Sequence, residues 1–358
     1  MVFGLLDRDA ETTPGLTAPG IALSFGGGGG LGALAPDVGP FGGGPGLETG
    51  VLSLELTRGF APFVDWAEVH LQPPPGADPL PQLGEAGSLG VSLGDRSVTF
   101  PCTLDSLEHH SDGSVRLGLG NGARLLAQAR VSTAYADTAT GDIIAALCAE
   151  AGVDTTAGGG PSLPRYFADG GVSVLDHIAR LAASMGRLAR FSDQGRLELI
   201  DDASAGEEIP VAAGDAILSS RLTERRPAGA IRVTGAGANE WHWLRKDASP
   251  NQASGGAAPP LRDSTAPWLR SADAIESFAQ ARGRASGRDS APGEMLLAAY
   301  PDAQPGVILA LSGTARDGPW RILSSTVCIN SRSGFSNHVT LARADADAGA
   351  LGLLGGLL

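Results

Sequence analysis

Aromatic residues are scarce, at 5% of 358 positions. Any core must therefore be built from Leu, Val, Ile and Ala, which a hydrophobic content of 42% can supply. Cysteine is nearly absent: Cys102, Cys148 and Cys328 lie far apart, with no CxxC pair among them. That spacing points to neither a disulfide framework nor a zinc site, and reads as three buried thiols. Basic residues are outnumbered, 26 against 39 acidic ones, for a formal net charge of −13. Such a balance argues against a general nucleic-acid-binding surface and against attraction to anionic lipid. An acidic wall would instead repel DNA and let it pass. Long apolar runs are missing too, since none reaches the roughly 18 residues that mark a membrane-spanning helix. The first residues lack the basic-then-apolar pattern of a secretion signal. The expectation is a soluble protein made in the cytoplasm.

Glycine is what the chain has in quantity, with 52 residues. Part of it is low-complexity sequence, and part answers the turn demand of many short strands. The length suffices for two or three ordinary domains. Residues 1–50 are expected to be a flexible Gly/Pro-rich arm. Five glycines run from Gly26 to Gly30, but Leu31 follows where a phosphate-binding loop continues to Lys and Ser or Thr. From Val51 the pattern turns to period two. Leu52, Leu54 and Leu56 alternate with polar neighbours, then Ala67, Val69 and Leu71, then Leu89, Val91 and Leu93. Asp112-Gly113 is a hairpin turn, after which Val115, Leu117 and Leu119 alternate. Strands at this spacing predict a small antiparallel barrel over residues 51–130, with a short helical piece at 124–130.

Residues 131–205 change character. In the stretch from Tyr135 to Val153, Thr140 is a plausible cap and Asp142 favours a helix start. Ile143, Ile144, Leu147 and Ala151 form an inner stripe, and Gly152 ends the helix. A second helix begins at Ser173, with Asp176 at the reciprocal capping-box position. Leu175, Ile178, Ala182 and Met185 recur at helical spacing, and Gly186 stops the helix. Leu188 to Phe191 and Arg196 to Ile200 then read as strands around the turn Ser192-Asp193-Gln194-Gly195.

Beyond residue 205 strands return, at 209–211, 217–221, 230–234, 307–311, 320–329 and 338–341. Ala248 to Pro267 is Pro/Ser/Gly-rich and reads as a long loop. Ser271 to Arg282 reads as a helix with Ile275, Phe278 and Ala279 on one face. The second barrel-like domain is thus expected at 206–343, with a loop and a helix, and an apolar tail at 344–358.

These stretches resemble the phage late-control protein D family, the baseplate hubs of contractile tails and related injection machines, akin to the N-terminal hub module of VgrG-type spike proteins. The family's helix S-x-L-D-x-I/L-x-R-L-A, leading into G-R-L, is matched at Ser173, Leu175, Asp176, Ile178, Arg180, Leu181 and Ala182, then Gly195, Arg196 and Leu197. The helix that precedes it in the family is matched at Thr140, Ile143, Ile144, Leu147, Ala151, Gly152 and Val153. Val91-Ser92-Leu93-Gly94 and the glycine-rich bend Gly118 to Gly122 hold the places of the family's first-barrel elements. Pro305-Gly306-Val307 and Gly334-Phe335 match its C-terminal part, while Asn337 and His338 stand where the family usually has Thr. The resemblance covers roughly residues 51–343, and the order of the motifs supplies most of its weight.

Several constellations could carry chemistry. Gly90-Val91-Ser92-Leu93-Gly94 fits the G-x-S-x-G nucleophile elbow in letters, but a strand rather than a helix is expected after it, around Val98 to Phe100. His109 and His110 are adjacent, so in a strand they point to opposite faces and cannot share a metal. His177 sits one position from an apolar stripe and reads as structural. Gly235-Ala236-Gly237 lacks the third glycine of a dinucleotide fingerprint, with Glu240 in its place. Asp201-Asp202 and Glu207-Glu208 are paired carboxylates of the kind a peptidoglycan hydrolase converges in a cleft, here read as a solvated turn. Trp241 and Trp243 could stack on sugars or pack in a core or subunit contact. None of these amounts to a catalytic, metal or cofactor site.

The expectation is a mainly β chain with an α+β insertion: two small antiparallel β-barrel-like hub domains plus a helix–hairpin domain. The resemblance implies a non-enzymatic structural hub, a homotrimeric ring that adapts a six-fold tail tube to a three-fold spike, with no cofactor. It implies as partners a tail tube or distal tail protein, a separate spike protein, and baseplate wedge or sheath proteins. Neither a membrane span nor specific nucleic-acid binding is expected. The expected location is a virion or injection particle assembled in the bacterial cytoplasm. Leu351, Leu353, Leu354, Leu357 and Leu358 of the tail are candidate docking residues for the spike. A cell-wall hydrolase and a glycan-binding tail component stay open as alternatives.

Overall fold

The computed structural model describes residues 19–25, 50–73, 80–202, 206–225, 230–235, 252–256, 262–266, 268–330 and 334–344. The first lobe comprises β1 (Gly20–Phe25), β2 (Val51–Gly59), β3 (Trp66–Leu71), β4 (Ala86–Leu93), β5 (Arg96–His109) and β6 (Val115–Gly120). They pair antiparallel in the order β1-β4-β5-β6-β3-β2. The period-two pattern does what it predicts: Leu54, Leu56, Ala67, Val69, Leu89, Val91, Leu117 and Leu119 are all buried in one core. Gly113 closes the β5–β6 hairpin at φ +83°. β5 is far longer than the three residues expected, and a register shift between Leu104 and Ser106 bends it along β6. β1 falls inside the stretch read as a loose arm. It pairs with β4 and buries Leu23 and Phe25. Gly87 on β4 makes room, because a Cβ there would lie 2.4 Å from the Ser24 carbonyl oxygen.

The middle unit holds α1 (Gly122–Gln128), β7 (Thr133–Ala139), α2 (Thr140–Glu150), β8 (Ser162–Ala168), α3 (Val174–Ser184), β9 (Arg187–Phe191) and β10 (Leu197–Asp201). α3 is built as its sequence predicts. Ser173 caps it by accepting from the Asp176 amide at 3.1 Å, and Gly186 follows it at φ +67°. α1 starts two residues earlier than expected because Asn121 caps it, accepting from the Ala123 amide at 2.9 Å. Thr140 is not the cap of α2. It is the first helical residue, and its hydroxyl donates to the Pro161 carbonyl at 2.7 Å. β7 and β8 form a two-stranded ribbon that the sequence pattern did not disclose.

The second lobe opens with β11 (Glu208–Ala212) and β12 (Ile217–Leu222). There follow β13 (Ile231–Gly235), β14 (Gln252–Gly255), β15 (Arg262–Ala266) and α4 (Ala272–Ser290), then β16 (Pro292–Leu297), β17 (Ile308–Ser312), β18 (Gly318–Asn330) and β19 (Gly334–Arg343). The expected loop at 248–267 contains β14 and β15, which flank β13 in a small separate sheet. α4 runs well past Arg282. Gly283, inside it, is a contact point: a Cβ there would meet the Gly256 amide at 2.6 Å. Although they lie in sequence between strands of the second lobe, Val233, Ala266, Ile275, Phe278 and Ala279 pack with the helices of the middle unit.

The protein is mainly β, with two curled β lobes and a helix–hairpin unit. The lobes do not form separate sheets. Residues 318–321 of β18 pair with β17, its residues 324–330 pair with β2, and β19 runs along nearly its whole length. A register shift between Ile322 and Ser324 marks the handover. One 12-stranded sheet therefore spans both lobes, with β1 at one end and β12 at the other. Each lobe keeps its own core. Among the described residues, no helix is long and apolar enough to cross a membrane.

Candidate functional site at the junction of the units

A dense polar construction lies where the two lobes and the middle unit meet. Arg58, near the end of β2, is 3% exposed. Its Nη1 donates to Asp193 Oδ1 of the β9–β10 turn at 2.7 Å and also to the Gln304 side chain of the second lobe. Its Nη2 donates to the Phe191 carbonyl at 2.6 Å. Gln304 Nε2 donates to Asp193 Oδ2 at 3.2 Å, so three side chains from three units close a triangle. Arg58 Nε lies 3.9 Å from Asp65 Oδ2, an ion pair without a hydrogen bond.

Asp65 is 1% exposed. Its carboxylate accepts from the Gly59 amide at 2.9 Å and from Asn121 Nδ2 at 3.0 Å. Asn121 thus caps α1 with its oxygen and holds Asp65 with its nitrogen. Burial pushes the Asp65 carboxyl up to about 6, against the lowering pull of Arg58 and the two hydrogen bonds.

Two further links brace the same region. Arg96, the first residue of β5, pairs with Asp302 at 2.7 Å and lies 4.6 Å over the Tyr300 ring. Tyr300 itself is held at φ +71°, while Asn337 Nδ2 donates to the Tyr300 and Ala303 carbonyls at 3.0 and 3.2 Å. Arg190 of β9 pairs with Glu198 at 2.7 Å and donates to the Pro305 carbonyl. Gly306 follows at φ +95°, and a Cβ there would lie 2.6 Å from Ile200 Cδ1. Gly195, at φ +75°, sits against Pro101 of β5. The motif residues Gly195 and Pro305-Gly306 therefore lie at this junction. A cleft of about 570 Å³ opens beside it, lined by Arg96, Arg190, Glu198, Glu207 and Asp302 among others.

The other sequence candidates are dispersed. Ser92 lies in a plain β hairpin, with β5 rather than a helix after the Gly94 turn. His109 ends β5, and His110 has its ring 5.5 Å from that of His70. Among the described residues no cluster of three potential metal ligands exists. His177 is buried: its Nε2 donates to the Asp169 carbonyl at 3.1 Å, so its Nδ1 accepts from the Tyr166 hydroxyl at 2.7 Å. The three cysteines are free, two buried and Cys328 partly so. The solvated-turn expectation is wrong for Asp202. It is buried, paired with Arg288 and 3.9 Å from Arg284 Nε, and it ties β10 to α4. Asp201, Glu207 and Glu208 are exposed. Trp241, Trp243, Ala236, Gly237 and the leucines at 351, 353, 354, 357 and 358 lie outside the described residues.

Sequence reasoning missed Arg58 and Asn337, although a signal was there. Each continues an inward-facing alternation, Arg58 after Leu54 and Leu56, Asn337 between Phe335 and Val339. A polar residue in an apolar register is buried with partners or it breaks the strand pattern.

The fold is similar to that of solved phage tail proteins. A tail protein from Neisseria meningitidis matches with a TM-score of 0.63 at 13% identity, over 91% of this chain and 96% of that one. A 43 kDa tail protein of prophage MuSo2 from Shewanella oneidensis matches at 0.61 and 15%, over 92% and 99%. The E. coli c3393 protein, described as a type VI secretion component similar to the T4 tail proteins gp27 and gp5, matches at 0.56 and 13%, over 82% and 73%. No protein-family profile and no curated protein matches the sequence. At these identities the likeness is one of fold, and at that level the resemblance to the baseplate hubs is borne out.

Proposed function

We propose that this chain is a non-enzymatic structural hub of a phage-like tail or contractile injection particle. Three copies form a ring that adapts a six-fold tube to a three-fold spike. The observation that carries this is the pair of β lobes held by one continuous sheet and a buried junction. Three chains then present six lobes at fixed angles. Cyclic closure needs a surface that covers itself. β12 supplies a candidate, because among the described residues no strand lies on its outer edge and Leu218 on it is 59% exposed. An open strand edge of this kind invites pairing. The partners in this proposal are a tail tube or distal tail protein, a spike protein, and wedge or sheath proteins. The leucines at 351–358 are proposed to dock on the spike; recovery of a normal hub–spike complex after their deletion removes that element.

The test is absolute mass by light scattering behind a sizing column, at several concentrations. A mass near three times the 36.2 kDa chain is expected, alone or on adding the neighbouring tail proteins. A monomer that ignores those proteins overturns the proposal.

A further inference from the structure

The middle unit carries a second depression that the junction does not use. It has a volume of about 580 Å³ and is lined by Tyr135 of β7, Arg165 and Phe167 of β8, Arg180 of α3, and Trp268 and Arg270 of the segment before α4. Three guanidinium groups thus gather on one spot of a chain with net charge −13, with Arg165 and Arg270 each already engaged by another group of the chain and Arg180 exposed. Phe167 stands beside them 61% exposed, among the few large apolar side chains left open to solvent. Trp268 is fixed from behind, edge-on to Tyr166 and Phe278 at 6.1 and 5.7 Å. The Tyr135 hydroxyl is buried and has no hydrogen-bond partner among the described residues. β7 and β8 pair only with each other among the described residues, so the ribbon has free main-chain edges.

We infer that this depression binds an acidic peptide segment of another protein, with a carboxylate on Arg180 inside the positive field of its two neighbours and an apolar side chain against Phe167 and Trp268. Arginine matches carboxylate in fork geometry, and rigid aromatic surface is the usual anchor of a small interface. A strand-like segment can also hydrogen-bond along the open edge of the ribbon. Single-stranded nucleic acid would use the same aromatic and cationic groups. It would need a basic groove that follows its backbone, and here three arginines stand on an acidic molecule. The inference does not rest on the hub proposal.

The test uses the full chain and fluorescein-labelled hexapeptides bearing three Asp and one Phe in varied order, read by fluorescence anisotropy. Controls are the same peptides with Asn for Asp, and a labelled oligo-dT strand. The Asp peptides are expected to bind at least tenfold tighter than the Asn peptides. Arg180→Glu and Phe167→Ser are each expected to weaken binding at least tenfold. Both residues are exposed, so an unchanged circular dichroism melt certifies the variants. Equal binding of Asp and Asn peptides, no binding by either below millimolar concentration, tighter binding of oligo-dT, or folded variants that bind as the parent does would each overturn the inference.

Discussion

Asp65 is a carboxylate under tension between burial and partners. Its ordinary value of 3.8 rises to about 6 in the folded chain. Between those values the unfolded carboxyl ionises while the folded one keeps its proton, so the folded state binds more protons there. Stability from this group is full below about pH 4 and lost as the pH rises through 6. Replacing it by Asn, which cannot titrate, isolates the effect. The stability of the parent minus that of Asp65→Asn is expected to fall by roughly 3 kcal/mol between pH 3.5 and pH 7. Urea unfolding of both proteins across that range measures it; a flat difference would show that folding leaves the Asp65 carboxyl unshifted, and a rising one that Arg58 holds it ionised.

At the scale of elements, the helix starts differ in what their caps do. Ser173 satisfies the first turn of α3 and little else, so Ser173→Ala is expected to cost about 1 kcal/mol. Asn121 caps α1 and also donates to a buried carboxylate, so Asn121→Ala is expected to cost about 2–3 kcal/mol. Denaturant midpoints with unchanged slopes would rank the two, and the reverse order would show that the Asn121–Asp65 bond adds nothing. Elements whose signal is local were legible in sequence: the alternating strands of the first lobe, α3 with its capping box, the β9–β10 hairpin. Elements that depend on a distant partner were not. β14 and β15 hold together only beside β13, and α4 runs past Gly283 because two backbones meet there. The junction was half legible. Its glycines appeared as motif residues, but nothing local says that Asp193 and Gln304 meet across 111 residues on one arginine.

The whole molecule offers a long sheet with two ends. If β12 is the surface on which copies meet, Leu218→Glu is expected to turn a trimer into a monomer while the melting temperature of the isolated chain moves little. The side chain is exposed in the single chain, so its loss should matter only in assembly. Sedimentation velocity on parent and variant decides this, and a variant that still forms trimers moves the contact elsewhere. The acidic balance of the chain belongs to this scale as well. It is a property of the sum, and the arginines around Phe167 show that single faces can carry the opposite sign.

One strand, β18, is a member of both lobes and carries partners on both sides for most of its length. A pull or push applied to one lobe along that strand therefore reaches the other through covalent main chain, without crossing a linker. The flanking ladders would be loaded in shear, with many hydrogen bonds sharing the strain at once. Joined in this way, the two lobes would act as one strut rather than as two bodies on a hinge.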